Sequence, residues 1–178
     1  MLKSRDIIGK PLVTLTHGEI IGRVKDVLID PESYEIAALV LPGKIFSKKT
    51  MVLARHLVHV FGKDVILVRS NEVMPRDDTL KGVSSLLGVS KQMKGQEIVT
   101  EQGVRIGIVG DVLVNKEGKV VSYDLAKVFI EGPLSKSRQI PLEATRSLGP
   151  DMIIVDSSVL ETRQIDGVSA DDGHLESF

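Results

Sequence analysis

The sequence predicts an all-β protein made of two small, similar domains, and three observations carry that prediction. The first is an internal duplication. Gly22-Arg23-Val24-Lys25-Asp26-Val27-Leu28-Ile29-Asp30 returns as Gly107-Ile108-Val109-Gly110-Asp111-Val112-Leu113-Val114-Asn115, so each copy is expected to be a unit that closes its own core. The second is the apolar content, which is almost wholly Val, Ile and Leu, with no Trp, two Tyr and four Phe; such a mixture suits pleated, tightly packed sheets. The third is a succession of short apolar runs separated by Gly, Pro and Asp turns, the pattern of antiparallel strands.

Taken in order, Pro11 to Leu15 reads as a first edge strand, His17-Gly18 as a tight turn and Ile20 to Asp30 as a long second strand. Alternation through that long strand fails, because Gly22, Val24, Asp26 and Leu28 share one parity while Val27 and Ile29 take the other. A bulge near Lys25-Asp26 reconciles the two, and the second copy has Gly110 there, a residue that tolerates a bent backbone. Pro31-Glu32-Ser33 turns the chain into a strand from Glu35 to Leu41. Met51 to Leu53 resumes extended structure, Ala54 to Val60 reads as a short helix, and Val65 to Arg69 ends the unit.

The duplication extends over most of the chain. Gly9 answers Gly95, Val13-Thr14 answers Val99-Thr100, and Thr16-His17-Gly18 answers Glu101-Gln102-Gly103. Glu32 to Ile36 answers Glu117 to Val121, Ser47-Lys48 answers Ser135-Lys136, and Gly62 to Val68 answers Gly149 to Val155. The offset drifts between these blocks, which puts the insertions in loops. The domains are accordingly 1–75 and 91–160. Residues 76–90 form a linker in which Leu80, Val83, Leu86 and Leu87 keep helical spacing, with Asp77 or Asp78 as N-cap and Gly88 as stop. Residues 161–178 carry five acidic residues and one basic among Gly and Ser, and read as a disordered acidic tail.

Composition narrows function. The 178 residues include no cysteine, so stability must come from burial alone. A net charge of −1 and few aromatic residues argue against direct nucleic-acid binding. The charged start Lys3-Ser4-Arg5-Asp6 does not resemble a secretion signal, and no apolar run approaches the roughly 20 residues of a membrane span, so the expected location is cytoplasmic.

The stretch Gly18-Glu19-Ile20-Ile21-Gly22-Arg23-Val24-Lys25-Asp26-Val27-Leu28-Ile29-Asp30, followed by an apolar strand and later by a Gly-x-Asp-apolar strand, resembles the PRC-barrel domain. That family is named for the cytoplasmic part of the photosynthetic reaction-centre H subunit, and similar domains end the bacterial ribosome-maturation factor. The resemblance covers residues 3 to 70 and 91 to 157. It implies two PRC-like β-barrels in tandem with short helical segments. The second copy departs at the shorter turn Thr100-Glu101-Gln102-Gly103 and at Asp124, which stands where the first copy has Leu39. In function the resemblance implies a non-enzymatic docking or assembly module, attached peripherally to a membrane-bound photosynthetic or division complex, or alternatively an adaptor in ribosome maturation that acts through protein contacts.

A search for catalytic apparatus finds none. The chain lacks a Gly-x-Ser-x-Gly elbow, Gly43-Lys44 lacks the rest of a phosphate loop, and Gly103, Gly107 and Gly110 have the wrong spacing for a dinucleotide fingerprint. Asp26 and Asp111 recur at the same place with Gly22 and Gly107. Beside a bulge they are expected to accept hydrogen bonds from N–H groups that the broken ladder leaves unpaired, a structural role. His56 and His59, three apart, make too small a set for a metal site, and no cofactor is expected. An enzyme of unrecognised type stays open as a second alternative.

One feature points to a partner. Ile45, Phe46, Lys48 and Lys49 place two large apolar residues among cations in the loop of the first copy, and Leu134, Lys136 and Arg138 do so more mildly in the second. Such loops insert apolar groups into a partner protein while the charges orient it. The alternative is that Ile45 and Phe46 plug one end of their own barrel.

Overall fold

The computed structural model describes residues 1–43, 50–75 and 85–161. The chain opens with a short strand β1 (Leu2–Lys3) and one helical turn α1 (Ser4–Ile7). The first barrel then comprises β2 (Pro11–Thr14), β3 (Ile20–Arg23), β4 (Asp26–Ile29), β5 (Ile36–Leu41), β6 (Met51–Ala54), β7 (Val58–Phe61) and β8 (Ile66–Val68). Its ladders form a circuit. β5 pairs β4, which continues into β3; β3 pairs β2; β2 runs parallel to β8; β8 pairs β7; and β7 joins β6, which returns to β5.

Between the copies lie β9 (Met74–Pro75), β10 (Leu87–Gly88) and a single π turn over Val89–Met93. The second barrel repeats the circuit with β11 (Glu97–Thr100), β12 (Arg105–Val114), β13 (Val120–Val128), β14 (Gln139–Pro141), β15 (Thr145–Leu148) and β16 (Met152–Val155), with a helical turn α2 (Pro133–Ser137) before β14. The architecture is therefore all-β with only short helices, as the sequence predicts.

Several local expectations change. Pro11–Thr14 is not an edge strand, because it pairs β3 on one side and β8 on the other; alternate burial of Leu12 and Thr14 did not betray the second partner. In the first copy the long strand splits into β3 and β4. Val24 N–H donates to Lys10 O at 3.0 Å and Lys25 N–H donates to Val40 O at 2.7 Å, so the backbone changes partners at this corner. In the second copy β12 runs through the same corner, and its ladder skips Gly110 between Val109 and Asp111. Arg55–Leu57 forms a 3₁₀ turn followed by β7 rather than a longer helix. The described end of the linker is extended at Leu87–Gly88 because it pairs with β4, so a helix reaching Gly88 is replaced there by a strand.

The register also corrects the alignment by one residue. Asp26 pairs Val40 and Asp111 pairs Asp124, so Asp124 answers Val40, and the buried Tyr123 answers Leu39. Tyr34 (φ 57°) and Gly118 (φ 86°) occupy matching left-handed turn positions.

The two copies do not keep separate cores. One buried cluster contains Leu12, Val27, Leu53 and Ile66 of the first together with Ile98, Ile106, Val112 and Ile153 of the second. The cause is an exchange of lead-in segments. β1, which precedes the first barrel, pairs β12 of the second through Leu2 and Val114 and through Lys3 and Leu113. β10, which precedes the second barrel, pairs β4 of the first through Leu87 and Ile29 and through Gly88 and Leu28. Each barrel is thus completed by the other copy's arm. The seam is reinforced where Ile36 N–H donates to Gly118 O at 2.8 Å and Val120 N–H donates to Tyr34 O at 3.0 Å, with the Arg55 guanidinium on Glu117 O at 2.7 Å.

Candidate docking groove and arm sockets

The duplicated acids lie under the exchanged arms. Asp26 is 5% exposed and Asp111 2%, and a carboxylate this deep needs hydrogen-bond donors. Asp26 Oδ1 accepts from Val27 N–H at 2.8 Å and from Ser90 N–H in the second arm at 3.0 Å. Asp111 Oδ1 accepts from Val112 N–H at 2.8 Å and from the Ser4 hydroxyl in the first arm, while Oδ2 accepts from Arg5 N–H at 3.4 Å, with Arg5 Nε 3.6 Å away. Each acid therefore receives donors from the opposite arm and acts as a socket for it. Sequence reasoning expected backbone N–H donors beside the bulge without naming them, which the structure places at Val27 and Val112, and it missed the arms. The serine of the second arm was no signal, because Ser90 donates through its backbone N–H, as Arg5 does in the first.

Gly22 and Gly107 are held by close packing. A Cβ on Gly107 would lie 2.2 Å from Lys127 O in the neighbouring strand, whereas one on Gly22 would meet only the tip of Leu41, at 2.6 Å.

Of the expected contact residues, Ile45, Phe46, Lys48 and Lys49 lie outside the described residues. Leu134, Lys136 and Arg138 are brought to one place with different tasks. α2 begins with Pro133, whose fixed φ suits a first helical position, and closes through Arg138 N–H donating to Leu134 O at 2.8 Å with Arg138 left-handed at φ 55°. The Arg138 guanidinium turns back onto Leu125 O at 3.1 Å and onto Ala126 O, clamping the end of β13. Leu134 is buried and Lys136 is exposed on the rim.

Together with Gly132, Pro133, Ser135, Ser137, Gln139, Pro141 and Val159, these two line a groove of about 580 Å³. Among the described residues its lining carries one cation and no acid. It runs beside the outer edge of β14. Leu125 N–H donates to Arg138 O at 2.7 Å, so Arg138 and Ile140 face β13, and by alternation the backbone of Gln139 and the carbonyl of Pro141 face outward. Among the described residues no strand pairs that edge. In the first barrel the matching edge is covered, since Met74 and Pro75 of β9 pair Val52 and Met51 of β6.

Elsewhere, His56 and His59 are both exposed, one on the 3₁₀ turn and the other on β7. No group of three or more His, Cys, Asp or Glu suited to a metal occurs among the described residues. Tyr123, which sequence reasoning passed over, is fully buried with its hydroxyl 2.9 Å from Thr145 Oγ1, and burial pushes its pKa up to about 12.

Comparison with known proteins agrees with this architecture. The PRC-barrel domain matches in two segments, residues 1–74 and 90–161. No curated protein matches the chain.

Proposed function

Because the chain belongs to the PRC-barrel family, whose domain is a protein-interaction module, we propose that it is a non-enzymatic assembly factor that docks an extended segment of a partner protein. The observation that carries this reading is the groove along β14, where an apolar floor, one cation and an outward-facing strand edge lie side by side. Extended peptides bind such edges by adding a strand, with main-chain hydrogen bonds for affinity and adjoining pockets for specificity. The partner segment that suits it is extended, with aliphatic side chains for the floor formed by Leu134, Pro141 and Val159 and an acidic group for Lys136.

The cellular setting that fits is the cytoplasm, with peripheral attachment to a membrane-bound complex. No helix among the described residues is long and apolar enough to cross a membrane. Capture from membrane and soluble fractions with the wild-type chain, a Ser137→Trp chain that fills the groove and a Lys136→Glu chain that reverses its charge tests the proposal. The expected result is one co-purifying partner lost with both variants. Retention of every partner by both variants sinks it.

A further inference from the structure

The duplication leaves one sheet face of the first barrel apolar where the second barrel is charged. β3, β2, β8 and β7 lie side by side, and their ladders align Ile20, Val13, Leu67 and Val60 in one row across the four strands. The neighbours Leu12, Ile66 and Val68 are buried in the core, so by alternation the row stands on the outer face. Ile20 is 64% exposed, Val60 44%, and Leu15, the next outward residue after Val13, 50%. In the second barrel the same ladders align Arg105, Val99, Ile154 and Ser147. Arg105 there pairs with Glu97, and Arg146 bridges Glu101, at 2.8 Å, and Asp156. The first barrel has Ile20 and Pro11 in the places of Arg105 and Glu97, and His59, Leu15 and Arg69 in the places of Arg146, Glu101 and Asp156. The charge that keeps one face in water is thus replaced by aliphatic groups on the other, and contiguous exposed apolar faces mark interaction sites.

The charge that remains on the first face is arranged to suit the face itself. Glu19 lies at the β3 flank, where its carbonyl accepts from Thr14 N–H at 2.9 Å; Arg69 follows β8, level with Leu15, whose N–H donates to Val68 O at 2.8 Å. Both are exposed, and among the described residues neither takes part in an ion pair. An acid on one flank and a cation towards the other, at nearly the same level, is a self-complementary pattern. We infer that this face binds its counterpart on a second copy of the chain, forming a symmetric dimer. Turned over about an axis along the strands, the face sets β3 over the partner's β7 and β2 over the partner's β8, in the aligned packing that twisted sheets adopt. Ile20 then meets the partner's Val60, Val13 the partner's Leu67, and Leu15 the stem of the partner's Arg69, whose guanidinium reaches the Glu19 carboxylate. The face spans four strands about 4.8 Å apart, roughly 19 Å, by about 13 Å from Pro11 to Leu15. An area of that size belongs to the small, reversible class of interfaces, so the dimer exchanges with monomer. The second barrel, closed by its own ion pairs, offers no matching face, and association stops at two.

The test reads the mass of the full-length chain in solution. Sedimentation equilibrium from about 5 to about 500 µM is expected to show monomer giving way to dimer. Because symmetry repeats every contact, each substitution acts twice. Ile20→Asp and Val60→Asp are each expected to weaken the dimer about tenfold or more, and Ile154→Asp, on the matching face of the second barrel, to leave it unchanged. Glu19→Arg and Arg69→Glu are each expected to weaken it about tenfold. An equal mixture of those two is expected to recover a heterodimer of wild-type affinity, which also shows that both variants fold. A chain that is monomeric over the whole range overturns the inference and leaves the face to another protein. A dimer that survives Ile20→Asp and Val60→Asp uses a different surface and overturns it as well. Charge variants that stay apart when mixed overturn the pairing of Glu19 with Arg69 and the symmetry that rests on it.

Discussion

The two barrels receive each other's arms on the same kind of aspartate socket but across unlike outer faces. On the first, the arm is apolar: Leu86 is 7% exposed and packs with Leu28, Ala38, Val40 and Val52 on the outer face of the sheet, and Val89 is fully buried. On the second, Met1 is 82% exposed, and although Ile7 of that arm is buried in the shared core, its outer part is held by polar contacts, Lys3 Nζ on Asp124 at 2.7 Å and Ser4 and Arg5 on Asp111. The outer faces differ to match, with Ser122, Asp124 and Gln139 where the first barrel has Ala38, Val40 and Val52. A duplicated scaffold can therefore keep one topology while dividing burial and hydrogen bonding unequally between its copies. The copy held by burial is expected to keep its arm through changes of salt, and the copy held by charge to loosen first.

The sharpest way to break the comparison is at the paired glycines. Gly107→Ala forces a methyl against a backbone carbonyl of β13 and is expected to cost about 3 kcal/mol or more, enough to unfold much of the protein. Gly22→Ala meets a side-chain tip that can rotate, but φ at Gly22 is 158°, a conformation that strains any side chain, so it should cost about 1 to 2 kcal/mol. Denaturant unfolding of both variants checks the ranking, and equal losses would mean that the longer β13 adds no constraint.

Next in size is the apolar arm. Leu86→Ala removes the cover of the outer face and should cost about 2 to 4 kcal/mol, whereas its counterpart Met1→Ala should change stability by less than about 0.5 kcal/mol. Thermal unfolding of the two variants decides it.

A third difference titrates. Tyr123 sits where the first barrel has Leu39, and its folded pKa of about 12 lies above the ordinary value of about 10. The fold favours the neutral phenol, so this contribution is complete below about pH 10 and is lost as pH rises towards 12, by about 3 kcal/mol at the limit. Tyr123→Phe should flatten that alkaline decline, and stability curves measured between pH 9 and 12 check it.

The smallest effect lies in the turns. Tyr34 holds a left-handed conformation that its counterpart Gly118 adopts freely, so Tyr34→Asn should stabilise by about 0.5 kcal/mol. A lower midpoint in urea would show that the side chain contributes more than the backbone costs.

The reach of the sequence follows the range of the interactions. The duplicated nonapeptide, the bulge at Gly110 and most strands are local patterns, and they were legible. The parallel partner of β2 and the exchange of β1 and β10 depend on pairings across the whole chain, which periodicity does not encode. A one-residue difference in the turn between Tyr34 and Gly118 also hid the true counterpart of Asp124. At the candidate site, Leu134 and Lys136 were singled out from their mixture of apolar and charged character, and the structure places both on the groove beside β14. Arg138 was grouped with them on charge, although its guanidinium is tied to Leu125 and Ala126. The edge of β14, unpaired among the described residues, had no local signal, because it is visible only against the covered edge of β6.

The crossed arms also make the molecule a natural clasp. Severed between Pro75 and Ser85, it would yield two polypeptides, each carrying the strand that the other lacks. Such halves, produced separately, should be poorly folded apart and should snap together when mixed, which makes the chain a ready-made split reporter for proximity inside a cell.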